Sequence, residues 1–168
     1  HWIITECNIP RRNFSDFIGG DEVQRNFTIK AYITAAINKF TQLHIYSLAE
    51  REFEEDASFE FHLMGLYNRV RETPIFTESK TPAGVAYKTV SDLLFGTTYD
   101  AEHTAYLRLP DGVKGGAFRD VKGNYIYALW AETRTDNTEE ASATYSFPTD
   151  FSFKELTKCE WNHSETNA

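Results

Sequence analysis

Two short apolar runs separated by one amphipathic stretch constrain this chain more than any other feature. His1-Trp2-Ile3-Ile4-Thr5-Glu6 is apolar and β-branched until it stops at a carboxylate, and it leads into a loop carrying Asn8, Pro10, Arg11 and Arg12. Such a run reads as a buried strand with a polar C-terminal end. Gly19-Gly20-Asp21 then breaks the chain, and Asp21 is placed to cap a helix in which Val23, Phe27, Ile33, Ile37 and Phe40 recur at helical spacing. Leu43 to Leu48 reads as a second buried strand. Strand, helix, strand in that order is a βαβ unit, which requires parallel strands.

The next segment is acidic, with Glu50, Glu52, Glu54, Glu55 and Asp56, and is expected to be a solvated loop over the end of the second strand. Phe61 to Tyr67 is another apolar stretch, followed by a loop around Pro74. Thr81-Pro82 opens a further helix, with threonine as cap and proline in the first turn, running through Val85, Val90, Leu93 and Leu94 to Gly96. Beyond Gly96 the period changes. Thr104 to Leu109, Gly116 to Asp120 and Asn124 to Ala131 are strand-like, Lys122-Gly123-Asn124 supplies a tight turn between the last two, and Ala141 to Phe147 is expected as another strand. The fold class is therefore α+β: residues 1–97 form parallel β/α units, and residues 98–168 form a small antiparallel β domain, expected as a sandwich.

Size and charge narrow the function classes. The 168 residues are too few for a complete eight-fold β/α barrel, which needs roughly 250. A net charge of −8, with no Lys/Arg run longer than Arg11-Arg12, argues against nucleic acid or anionic lipid as a partner and leaves a neutral ligand open. No apolar run approaches the roughly 20 residues that cross a bilayer. The start at His1 without a methionine points to a processed or truncated product. Cys7 and Cys159 have no metal-ligand spacing and leave a disulfide between them open, and His44 and His62 share no metal spacing either. Asn13, Asn26 and Asn162 begin Asn-x-Ser/Thr triplets, which matter only in a eukaryotic secretory context.

In a barrel of parallel strands, catalytic groups sit at the C-terminal strand ends. Glu6 holds that position, although an acid closing a strand is also a common loop anchor. The run Trp2-Ile3-Ile4-Thr5-Glu6-Cys7-Asn8 resembles the seventh strand of clan A glycoside hydrolases, where a Thr-Glu or similar pair ends the strand. Leu43 to Leu48 resembles the eighth strand, and Met64-Gly65-Leu66-Tyr67 and Lys80-Thr81-Pro82-Ala83 with Tyr87 resemble the approach to the last helix. Gly115 to Asp120 and Tyr127 to Ala131 are similar to the small β domain that many such enzymes carry after the barrel.

That resemblance implies a retaining glycoside hydrolase acting on the O-glycosidic bonds of a polysaccharide or oligosaccharide. Glu6 would be the nucleophile. The clan's acid/base, typically the second residue of an Asn-Glu pair, has no counterpart here, because no Asn-Glu dipeptide occurs in the sequence. It would lie upstream, and these residues alone are expected to be inactive. Tyr46 would bond the nucleophile or stack on a sugar, or else be core. Asn8 and Arg11 would touch substrate hydroxyls or shape the loop, and Glu50 would reach the substrate or face solvent. The chemistry needs no cofactor or metal, and a polysaccharide substrate implies a secreted or cell-surface protein. The competing reading is a non-catalytic carbohydrate-binding or structural β domain that uses exposed aromatic residues of its sheet.

Overall fold

In the computed structural model, residues 1–69, 78–133 and 139–166 are described. The expected loop around Pro74 and part of that from Thr135 to Glu140 lie outside them. The first strand, β1 (Ile3–Cys7), is followed by α1 (Asp21–Ile37) and β2 (Gln42–Ile45), and β1 and β2 pair in parallel as the βαβ order requires. Gly20, not Asp21, occupies the cap of α1, and having no side chain it supplies no capping hydrogen bond. Asp21 and Glu22 instead place negative charge at the positive end of the helix.

A 3-10 turn at Glu60–Leu63 leads to α2 (Pro82–Leu94). Here the sequence signal is met in detail. The Thr81 hydroxyl accepts from the Gly84 N–H at 3.1 Å and donates to the Gly65 carbonyl at 2.9 Å, so one buried side chain both caps the helix and docks it on the preceding segment. A side chain at Gly84 would collide with the Leu66 carbonyl, which explains the glycine in that first turn. α1 and α2 lie side by side, with Tyr32 and Tyr87 meeting edge to face at 5.2 Å.

The second half contributes β3 (Thr98–Asp100), α3 (Ala101–Tyr106), β4 (Val113–Arg119) and β5 (Tyr125–Ala131), and α4 (His163–Thr166) lies near the C-terminus. β3, β4 and β5 form one antiparallel sheet in that order. The β4–β5 hairpin turns at Gly123, whose φ of 88° is left-handed, and Asp120 accepts from the Lys122 and Asn124 N–H groups, each at 2.8 Å. One face of this sheet meets the helices. Ile33, Val90 and Phe118 form a buried cluster flanked by Tyr99, Ile126, Ala128 and Trp130.

The architecture is thus mixed α/β, with one two-stranded parallel sheet and one three-stranded antiparallel sheet among the described residues. Two expectations are corrected. Residues 104–109 are not a strand: Asp100 accepts from the His103 N–H at 2.8 Å and starts α3 in their place. Residues 141–147 form no strand either. Their rings pack without a ladder, with Phe147 5.3 Å from Tyr127 and 4.8 Å from Phe153, so the outer face of the sheet is covered by α3 and an aromatic segment and not by a second sheet.

Candidate active site

The register of the parallel pair shapes the strand end that carries Glu6. Ile3 faces Gln42 and Ile4 faces Leu43, but Cys7 faces Ile45. Three residue steps on β1 therefore match two on β2, and the extra residue is a bulge at Thr5–Glu6. A bulge re-aims side chains, because the strict alternation of faces is interrupted. The consequence is visible in burial: Ile4 and Cys7 are half-buried, while the consecutive Thr5 and Glu6 are both exposed. The half-buried side is the helix side, since the Cys7 thiol lies close enough to Tyr32 of α1 to help push its phenol above the usual range, after burial and the bond with Tyr87. Ile3 precedes Ile4 and therefore lies on the opposite face, where it is 49% exposed. Glu6 makes no side-chain hydrogen bond or ion pair with the described residues.

The neighbouring candidates are, by contrast, committed to the scaffold. The Asn8 amide donates to the Tyr46 carbonyl at 2.6 Å and the Met64 carbonyl at 2.7 Å, and its oxygen accepts from the Ile9 N–H at 2.8 Å. Arg11 donates from Nε to Glu50 Oε1 at 2.5 Å, from Nη2 to Glu50 Oε2 at 3.3 Å and from Nη1 to Glu54 Oε2 at 2.6 Å. Glu50, expected either to reach the substrate or to face solvent, is only 6% exposed. Burial pushes its carboxyl above the usual range against the opposing pull of Arg11. Arg11 is itself held above its ordinary value, since Glu50 and Glu54 outweigh the effect of burial. Arg12 adds bonds to the Glu54 carbonyl at 2.8 Å and to the Ala57 carbonyl, so the acidic segment is strapped to the loop after β1.

Tyr46 follows β2 directly and its N–H donates to the Cys7 carbonyl at 3.1 Å, which sets it beside the Glu6 strand end. Its ring meets Phe61 edge to face at 5.7 Å, and the Arg51 guanidinium lies 5.4 Å over it. Phe59 and Phe61, 42% and 39% exposed, continue this group of rings beyond the strand end. Sequence reasoning missed them; the signal available was the pair of aromatics flanking Glu60, directly after the acidic run. The structure thus joins Asn8 to Tyr46 and Arg11 to Glu50, and Glu6 beside them is exposed with no side-chain partner among the described residues.

A separate concavity of about 500 Å³ on the antiparallel sheet is lined by Asp100, Glu102, His103, Tyr106, Arg119 and Tyr125, and contains none of the expected residues. Its rings are already occupied: His103 stacks on Tyr125 at 3.8 Å, and Tyr106 on Phe151 at 4.9 Å. Both cysteines are free thiols. Among the described residues no group of three His, Cys, Asp or Glu side chains is placed to hold a metal ion, and no helix is long and apolar enough to cross a membrane. No family model matches the chain, and no curated protein is significantly similar to it.

Proposed function

We propose that this chain is the C-terminal part of a retaining glycoside hydrolase, comprising the last two β/α units of a catalytic barrel and an accessory β domain, with Glu6 as the nucleophile. The observation that carries this reading is the bulge that leaves Glu6 exposed, and without a side-chain partner among the described residues, at the C-terminal end of a parallel strand, on the face the helices do not cover. That face corresponds to a barrel interior. A scaffold anchor would be bonded, as Asn8 and Arg11 are.

The chemistry asks for an ionised carboxylate that attacks the anomeric carbon and a second carboxyl, about 5–5.5 Å away, that protonates the leaving oxygen and later activates water. Glu6 supplies the first, and the second comes from residues outside this chain. Tyr46 stands beside the nucleophile as the group that contacts the sugar, while Arg11, Asn8 and Glu50 shape the loops around it. The substrate is an O-linked polysaccharide or oligosaccharide, and the protein acts outside the cell or on its surface. The aromatic residues of the β sheet lend little to a pure binding role, because their faces are stacked on one another.

The deciding experiment uses the full-length gene product. An activated 2-deoxy-2-fluoro glycoside should label it covalently, and peptide mapping should find the label on Glu6. The Glu6→Gln variant should lose turnover of aryl glycosides by roughly 10,000-fold or more, the order expected when a nucleophile is removed. A label on another carboxylate, or a variant with near-normal turnover, overturns the assignment.

A further inference from the structure

A bulge in a parallel pair has an alternative close by. In regular register Glu6 would stand opposite Ile45, the place now taken by Cys7, and would turn toward the helices, because a one-residue slip moves side chains to the other face. Something must hold the strand end beyond the bulge. Asn8 is two residues past Glu6, and its amide is fully engaged: both Nδ2 hydrogens reach carbonyls, of Tyr46 at 2.6 Å and Met64 at 2.7 Å, and Oδ1 accepts the Ile9 N–H at 2.8 Å. Those carbonyls belong to two different segments, the end of β2 and the exit of the 3-10 turn. They are themselves tied together, since the Ser47 N–H donates to the Met64 carbonyl at 2.7 Å.

We propose that Asn8 is a positioning residue for Glu6: by crosslinking the two strand ends it keeps the bulge open and holds the carboxylate on the uncovered face. This rests on the reading of Glu6 as nucleophile. It also replaces the expectation that Asn8 contacts substrate hydroxyls, because the hydrogens that would do so are already used. Asparagine suits the task. Aspartate has the same shape but no donor, serine has one donor, and alanine has none.

The test compares Asn8→Ala, Asn8→Asp and Asn8→Ser with Glu6→Gln in the full-length protein. Two readouts are followed: turnover and fluoro-glycoside labelling of Glu6, and alkylation of Cys7 in a Cys159→Ser background. Asn8→Ala and Asn8→Asp are expected to lower kcat and the labelling rate together by roughly 10- to 100-fold, the scale of a misplacement near 1 Å, with KM changed by less than about threefold. Closing the bulge turns Cys7 outward, so its alkylation should rise several-fold under conditions where the thermal transition is still intact. Asn8→Ser should fall between, and it carries the test if the other two variants do not fold.

Unchanged labelling with unchanged Cys7 reactivity overturns the proposal and leaves the role of Glu6 standing. A lower melting temperature with neither readout moved reduces Asn8 to a fold stabiliser, which also overturns it. If Glu6→Gln keeps its turnover, the nucleophile reading falls instead, and the Cys7 measurement alone decides whether Asn8 holds the bulge.

Discussion

Arg11 and Glu50 are 39 residues apart in sequence, yet their side chains are 12% and 1% exposed and joined by two hydrogen bonds. Removing one member of such a pair strands a buried charge, which costs about 3–5 kcal/mol. Arg11→Met should therefore be strongly destabilised in chemical unfolding, and Arg11→Met/Glu50→Leu should recover most of the loss. The sign of the pH effect follows from burial, which raises the Glu50 carboxyl. A carboxyl with a raised folded value favours folding when protonated, so its contribution is largest below about pH 4.3 and declines as pH rises through the folded value. Arg11→Met removes the opposing cation, so its deficit should be greatest at neutral pH and shrink toward pH 4 to 5. A variant whose deficit is flat from pH 4 to 8 would mean that Glu50 is not the group left stranded. This pair also marks where the sequence stopped being legible. Glu6 is readable as a candidate because strand period and position are local properties. Glu50 reads as one acid in a solvated run, because its partner comes from a distant loop and leaves no local signal.

Helix α3 shows how one capping residue overrides a strand-like pattern. Thr104 to Leu109 alternates polar and apolar residues, but the Asp100 carboxylate accepts the His103 N–H and the Thr104 hydroxyl bonds back to the Asp100 carbonyl at 2.7 Å, committing the segment to a helical turn. The His103 N–H holds the Asp100 carboxyl below the usual range, and the Tyr125 hydroxyl, donating at 3.0 Å, lowers it further. A depressed carboxyl stabilises the fold above its ordinary value near 3.9, and this is lost as pH falls through the folded value. Asp100→Asn keeps an acceptor at the cap but removes the titrating charge. Its thermal stability should follow pH less steeply than the parent below about pH 4, while Asp100→Ala should cost about 1 kcal/mol at pH 7. Equal acid slopes in parent and Asn variant would assign the acid sensitivity elsewhere. The β4–β5 hairpin and the Thr81 cap were legible because Gly123 and Thr81-Pro82 act through their own neighbours. The bulge in β1 was not, since a register exists only between two strands.

At the scale of the molecule, Phe118 on β4, Ile33 on α1 and Val90 on α2 meet in one buried cluster, so the antiparallel sheet and the helices behind the parallel strands share a core. Phe118 is 1% exposed, and Phe118→Ala should cost about 3–5 kcal/mol. Far- and near-ultraviolet circular dichroism should then report one common, lowered thermal transition; a separate early transition of the sheet alone would contradict a shared core. The change of period at Gly96 marked the passage to strand-like sequence without identifying β3 (Thr98–Asp100), and no local pattern could show that one face of the sheet would be buried against α1, far back in the chain, as well as against α2. The parallel pair has a different outlook. Among the described residues no further strand joins β1 or β2, so backbone donors and acceptors on both outer sides remain available to a matching chain. A net charge of −8 gives every copy the same sign. In the full-length protein proposed above, those outer sides would pair with the strands of the rest of the barrel; these residues by themselves would depend on mutual repulsion, whose range shrinks to about 8 Å at physiological ionic strength, so their light scattering is expected to rise with added salt.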